Sequence, residues 1–428
     1  MTTKGYLFAL LIFIGFLTGC HHQNEHTSQL MSIQIYDRNG FKETITSVDR
    51  LKMYQKTDFT DPQPYARVVR IYSRTEEGKT PSRLTTYHEN GEVWQYLEVV
   101  NGRACGTYRE WHPNGKLRLD LTVIEGQGDL SEEAQLGWVF DGFSRVYDDQ
   151  GRLEAEFYYE KGLMQGTALY YFPNGKLQQQ IPYEEGLIDG DCLEYNEQGH
   201  LIGKSTFIRG KQHGLATFKG DVNSPPYTET YRSGLLLEGV YHDFSGRIIC
   251  QVKEGFGKKA IFSNGHLYAL QEYQAGVAEG EVRLYNEMGY LESAYQIQDG
   301  MKHGQEWVYY PAPEGKEPQP KLCITWVADQ IHGITRTWYP SGNLESEREM
   351  YENQKHGISS AWYKDGTLRL VEEYEHDELV SGTYMRRGDS HPVSTVEDGA
   401  GIVSLYDSDG LFVKRITYEK GQPVLDEP

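Results

Sequence analysis

Glycine recurs on a fixed period in this chain of 428 residues. Gly142, Gly166, Gly190 and Gly214 are spaced by 24 residues, and Gly151, Gly175 and Gly199 follow the first three by nine. The nine-residue pair returns at Gly106/Gly115, Gly280/Gly289, Gly333/Gly342, Gly357/Gly366 and Gly401/Gly410. A period in the range of roughly 20–50 residues marks a repeat array, in which one supersecondary unit is stacked many times. The chain is therefore read as copies of one unit, not as a set of unrelated globular domains.

The unit alternates apolar and polar residues with period two. Leu153, Ala155, Phe157 and Tyr159 fall on one face and Arg152, Glu154 and Glu156 on the other, the pattern of a strand with one buried side. Asn174-Gly175 between two such runs reads as a type I′ hairpin turn. Asn90-Gly91, Asn114-Gly115, Asn264-Gly265, Asp365-Gly366 and Asp409-Gly410 are variants of it. A second turn carries Gly162, Gly186, Gly210, Gly276 or Gly300, with Asn353 standing in once. The expected fold is all-β: an elongated antiparallel β-meander of 24-residue hairpin repeats. Excess residues around Glu125 to Leu136, Pro311 to Pro320 and Asp221 to Pro226 are read as surface loops. Helical periodicity is nearly absent, apart from a short turn near Ser131 to Leu136. The hydrophobic fraction of 38% suits a thin sheet better than a deep core. The net charge of −20 argues against nucleic acid as the main partner, since phosphate binding needs clustered Lys and Arg.

The first twenty residues are of another kind. Lys4 precedes an apolar run from Tyr6 to Leu17, which ends in Leu17-Thr18-Gly19-Cys20. The run is too short to span a bilayer core of ~30 Å. It resembles the lipobox of bacterial lipoproteins. The resemblance implies cleavage before Cys20, an acyl anchor on its thiol and, because His21 rather than Asp follows, sorting to the outer membrane of the cell envelope. The division expected is 1–19 signal peptide, 20–81 polar tether and N-terminal β segment, 82–421 repeat array, and 422–428 C-terminal tail.

Trp338-Tyr339-Pro340-Ser341-Gly342-Asn343-Leu344 and Tyr171-Phe172-Pro173-Asn174-Gly175-Lys176-Leu177, with unit ends such as Lys355-His356-Gly357, resemble the MORN-repeat variant of bacterial proteins. Such proteins are often grouped as YwqK-type antitoxin components. The resemblance covers residues 82 to 421 and implies a protein-binding or immunity-like role on a meander scaffold. The lipobox sets the chain apart from a plain cytoplasmic antitoxin.

Few residues invite chemistry. His213, His303, His332 and His356 each precede a unit-opening Gly. Equivalent residues two strands apart stand ~10 Å from one another, too far for one metal, so neither metal nor cofactor is expected. Trp111, Tyr147, Tyr170, Tyr195, Tyr285, Trp338 and Trp362 are expected to pack the thin core. Their neighbours Tyr171, Tyr310, Tyr339 and Tyr363 alternate onto the other face and are the ligand-binding candidates if exposed. No catalytic motif is present. The reading is a non-catalytic, lipid-anchored scaffold for an envelope protein partner, with an antitoxin role or glycan binding by the aromatic face as alternatives. Beyond Cys20, the cysteines Cys105, Cys192, Cys250 and Cys323 lie at least two units apart and are expected to remain four unpaired thiols.

Overall fold

A computed structural model describes residues 28–312 and 316–424. Nearly all regular structure in it is antiparallel strand, with two short helices, Val48–Tyr54 and Glu132–Leu136, among the described residues. Neither is long and apolar enough to cross a membrane. The chain divides into two compact units, residues up to 201 with 207–210, and 202–206 with 211 onward.

In the first unit consecutive strands pair as a meander. Pro81–Tyr87 pairs with Val93–Val100, which pairs with Arg103–Trp111 and so on through Gly166–Tyr171 and Leu177–Glu184. The expected alternation holds. Ala155 is buried and Phe157 and Tyr159 half-buried, while Glu154 and Tyr158 on the reverse are exposed. On the Ala155 face, Phe157 meets Tyr170 edge-on at 5.5 Å and Tyr159 meets Phe140 at 5.5 Å. The reverse face carries cross-strand ion pairs between directly opposed residues, Arg109–Asp120 at 2.9 Å and Arg145–Glu156 at 2.6 Å.

Two features depart from the sequence reading. The helix Val48–Tyr54 is less than two turns long and buries only Leu51, so it shows no helical period. Leu51 joins Ile33, Ile45, Phe59 and Val69 in a core that closes the start of this unit. The segment around Glu125 to Leu136 is not a loose surface loop. Ala134 and Trp138 are buried, Trp138 packs edge-on against Tyr108 at 4.8 Å, and its indole N–H donates to the Gln127 carbonyl at 2.9 Å. The insertion thus covers the sheet, and Trp138 joins the core of Leu84, Leu97, Leu121 and Val123.

The second unit is also a meander, with two cores around Leu236/Tyr241/Val252 and Leu379/Tyr384/Val396. Its buried and half-buried carboxylates are clasped by donors. Glu229, 4% exposed, accepts from the Tyr231 hydroxyl at 3.0 Å, the Tyr241 hydroxyl at 2.7 Å and the Lys259 ammonium at 2.6 Å. Glu372 accepts from Tyr384 at 2.7 Å and Tyr374 at 3.1 Å. Glu306 accepts from Lys302 and from the Trp326 indole, both at 2.8 Å.

Candidate functional site

Each repeat ends in two different turns, and they make two different edges. At the first, the Gly175 N–H donates to the Phe172 carbonyl at 2.8 Å and the Phe172 N–H to the Lys176 carbonyl at 2.8 Å. Gly175 has φ +79°, while Asn174 is not among the residues with positive φ. This is a three-residue loop, a type I turn followed by one left-handed residue, and not the type I′ turn expected from Asn-Gly. Pro173 suits this turn, because its ring fixes φ near −65° at the second position of a type I turn, and the same bonds form at His88–Glu92, where Glu89 takes that place. Asn174 serves another purpose. Its Oδ1 accepts the Lys176 N–H at 2.9 Å and its Nδ2 donates to the Glu197 carbonyl of the next turn at 2.9 Å. Asn90, Asn114 and Asn343 reach the Pro113, Asp149 and Lys364 carbonyls in the same way.

The second turn is the type I′ turn. Lys161-Gly162, Glu185-Gly186, Arg209-Gly210 and Asp299-Gly300 all have positive φ at both residues, as does Asn264-Gly265. Glycine N–H groups dock on the preceding repeat, Gly162 on the Phe140 carbonyl at 2.8 Å, Gly186 on Met164 at 2.9 Å and Gly210 on Ile188 at 2.7 Å. At six of these two-residue turns the residue after the glycine is apolar and exposed, whereas Lys211 follows Gly210 and His266 follows Gly265. In the first unit these are Leu163 and Leu187; in the second, Leu235, Phe256, Val277 and Met301, with exposures from 38% to 57%. A Cβ on Gly186 would stand 3.4 Å from Leu163 Cδ2, so Leu163 lies across the following glycine. The result is an apolar ridge along the I′ edge of each unit. Sequence reasoning noted the glycines but missed the ridge; the hydrophobic residue after Gly162, Gly186, Gly234, Gly255, Gly276 and Gly300 was the available signal.

The four candidate tyrosines do not form a common surface. Tyr171 is half-buried on the face opposite Tyr170. Tyr310, Tyr339 and Tyr363 begin the first turns and span to the next repeat: their hydroxyls donate to the Trp338, Trp362 and Met385 carbonyls at 2.7, 2.8 and 2.7 Å. Tyr339 and Tyr363 are buried, so the exposure that would make them ligand sites is absent, and burial pushes both phenols up. His88 and His112 use Nε2 for the same bridge, to the Trp111 and Tyr147 carbonyls. The aromatic series splits, Tyr170 packing on Phe157 and Trp338 stacking on Trp307 at 5.7 Å.

The His213, His303, His332 and His356 series does not converge, and no cluster of three or more His, Cys, Asp or Glu suited to a metal occurs among the described residues. Cys192, Cys250 and Cys323 are free, but Cys105 is disulfide-bonded, which corrects the expectation of four unpaired thiols. The spacing argument weighed only cysteines inside the array, and it holds there, since none of the three free thiols is the partner of Cys105. Burial pushes the Cys250 thiol up to about 11. Cys20 lies outside the described residues.

A meander of repeated hairpins, locked turn to turn along both edges, defines a repeat scaffold. Residues 104–123, 164–185 and 331–353 match the MORN repeat variant, so these three segments are similar to MORN repeats. No curated protein matches the chain. A crystal structure titled TcdB2-TccC3-TEV is similar over 90% of this chain and 24% of that one, at 12% identity and a TM-score of 0.13. The chain spans about a quarter of that structure's length, and so loose a likeness carries no functional argument.

Proposed function

We propose that this protein is a lipid-anchored, non-catalytic scaffold of the bacterial cell envelope, held at the outer membrane through Cys20, and that it binds a protein partner along the I′ edge. The observation that carries the reading is the exposed apolar ridge of Leu163 and Leu187 in one unit and Leu235, Phe256, Val277 and Met301 in the other. Apolar side chains repeated at one position of a regular array offer evenly spaced anchors, and contiguous exposed apolar surface marks interaction sites. The opposite edge is polar, because its Asn and Lys side chains are spent on neighbouring turns. The anchor rests on the Leu17-Thr18-Gly19-Cys20 sequence.

Two experiments test this. Photo-crosslinkers placed at Leu187 and Phe256 in native membranes are expected to trap one protein that a crosslinker at Asn174 does not. Equal capture at both edges refutes the ridge as the binding surface. Cys20→Ser is expected to abolish acyl labelling and release the protein from membranes; a variant that still labels and sediments removes the anchor. Rescue of cells from a toxic partner trapped by the ridge would narrow the scaffold to an immunity role.

A further inference from the structure

The histidines of the unit ends stand too far apart to share a metal, but His356 has a closer neighbour. His376 occupies the first position of the next two-residue turn, with φ +50°. Its ring centre lies 4.7 Å from that of His356, with the planes inclined at 66°. The chain brings them together because Asp377, the second residue of that turn, docks on the strand that carries His356. The Asp377 N–H donates to the Lys355 carbonyl at 2.9 Å, and Asp377 Oδ1 accepts the Lys355 N–H at 2.8 Å. The Lys355 ammonium is turned away onto the Tyr374 ring, 4.3 Å from its centre.

We propose that His356 and His376 form a two-histidine chelate for a borderline divalent transition metal, of the Zn(II), Ni(II) or Cu(II) class. An imidazole nitrogen binds such an ion at about 2.0–2.1 Å, and the ring centre lies about 1.1 Å behind the nitrogen. Two rings on one ion, with an angle of about 90–110° at the metal, therefore have centres about 4.5–5.2 Å apart. The observed 4.7 Å falls within that interval. A second observation agrees. His356 Nδ1 is buried and has no hydrogen-bond partner among the described residues, an uncommon state for a buried nitrogen. A bound cation gives the ring pair a polar occupant. His376 is exposed, so the ion has a path in and water fills its other positions. His332 is not a third ligand, because the Tyr351 ring stands between, 4.9 Å from His332 and 5.8 Å from His356.

The test is calorimetric titration of the full chain with nickel chloride, comparing the wild type with three variants. One binding event is expected to be lost in His376→Asn and in His356→Gln and kept in His332→Gln. Histidines 21, 22 and 26 are common to all four proteins, so the difference reports the pair alone. His376→Asn is decisive, because the position is exposed and asparagine tolerates its left-handed backbone. A variant with wild-type circular dichroism and unchanged nickel stoichiometry and affinity overturns the proposal. So does a wild-type titration abolished entirely by replacing His21, His22 and His26.

Discussion

Replacing Glu229 by Leu should destabilise the second unit by more than the loss of any single contact. The carboxylate is 4% exposed and accepts from Tyr231, Tyr241 and Lys259 at 3.0, 2.7 and 2.6 Å. A hydrogen bond to a charged group contributes about 1.5–3 kcal/mol, and a buried donor left without an acceptor costs about 1–3 kcal/mol. The Lys259 side chain is 23% exposed and can turn toward water, so its share is the smallest. The expected total is about 3–5 kcal/mol, the range for breaking a buried pair from one side. Repeat arrays can unfold in parts, so a single global midpoint would blur the effect. Amide hydrogen exchange over Tyr227–Arg232 and Leu235–His242 is the better readout. A cycle sharpens the test: Tyr241→Phe should cost about 1.5–3 kcal/mol in the wild type and be neutral or stabilising beside Glu229→Leu, where the hydroxyl has lost its acceptor. If it costs the same in both backgrounds to within about 0.5 kcal/mol, the tyrosine does not depend on the carboxylate and the reasoning fails.

Three further outcomes are expected. Burial, reinforced by nearby carboxylates, raises the phenols of Tyr108, Tyr231, Tyr241, Tyr374 and Tyr384 well above their ordinary value. Their stabilising contribution is therefore complete below about pH 10, where unfolded tyrosine begins to ionise, and is lost as pH rises beyond it; urea midpoints that stay level from about pH 9 to about pH 12 would contradict this. Asn174→Ala should cost about 1 kcal/mol by removing its bonds to Lys176 and Glu197, whereas a type I′ turn would also suffer from placing Ala at positive φ; exchange rates at Gly175 and Lys176 measure it. Alkylation of the denatured, unreduced protein should label Cys192, Cys250 and Cys323, and any of the three that labels only after reduction contradicts its free state.

What could be read from the sequence depended on whether a signal was local or cooperative. Period-two alternation in Arg152 to Tyr159 is local, and the strand Leu153–Glu160 follows it residue for residue. The turn types were only half legible. Asn-Gly alone favours type I′, but in Pro173-Asn174-Gly175 the proline and the bond from Asn174 to the next turn decide otherwise. The type I′ geometry sits at Lys161-Gly162 and Glu185-Gly186, where a charged residue accepts positive φ because its own N–H docks on the preceding repeat, Lys161 on Asp141 Oδ1 at 2.8 Å and Glu185 on Gln165 Oε1 at 2.9 Å. That stabilisation lies about 20 residues away in sequence, so it cannot be seen in the dipeptide. The candidate tyrosines failed for the same reason. Alternation places Tyr339 and Tyr363 outward from their own strands, yet each hydroxyl finds a carbonyl in the next repeat and the ring is buried. In a stack of repeats the exposure of a residue is set by the unit that follows it, and the apolar side chains left exposed include Leu163 and Leu187, whose neighbours across the turn are glycines.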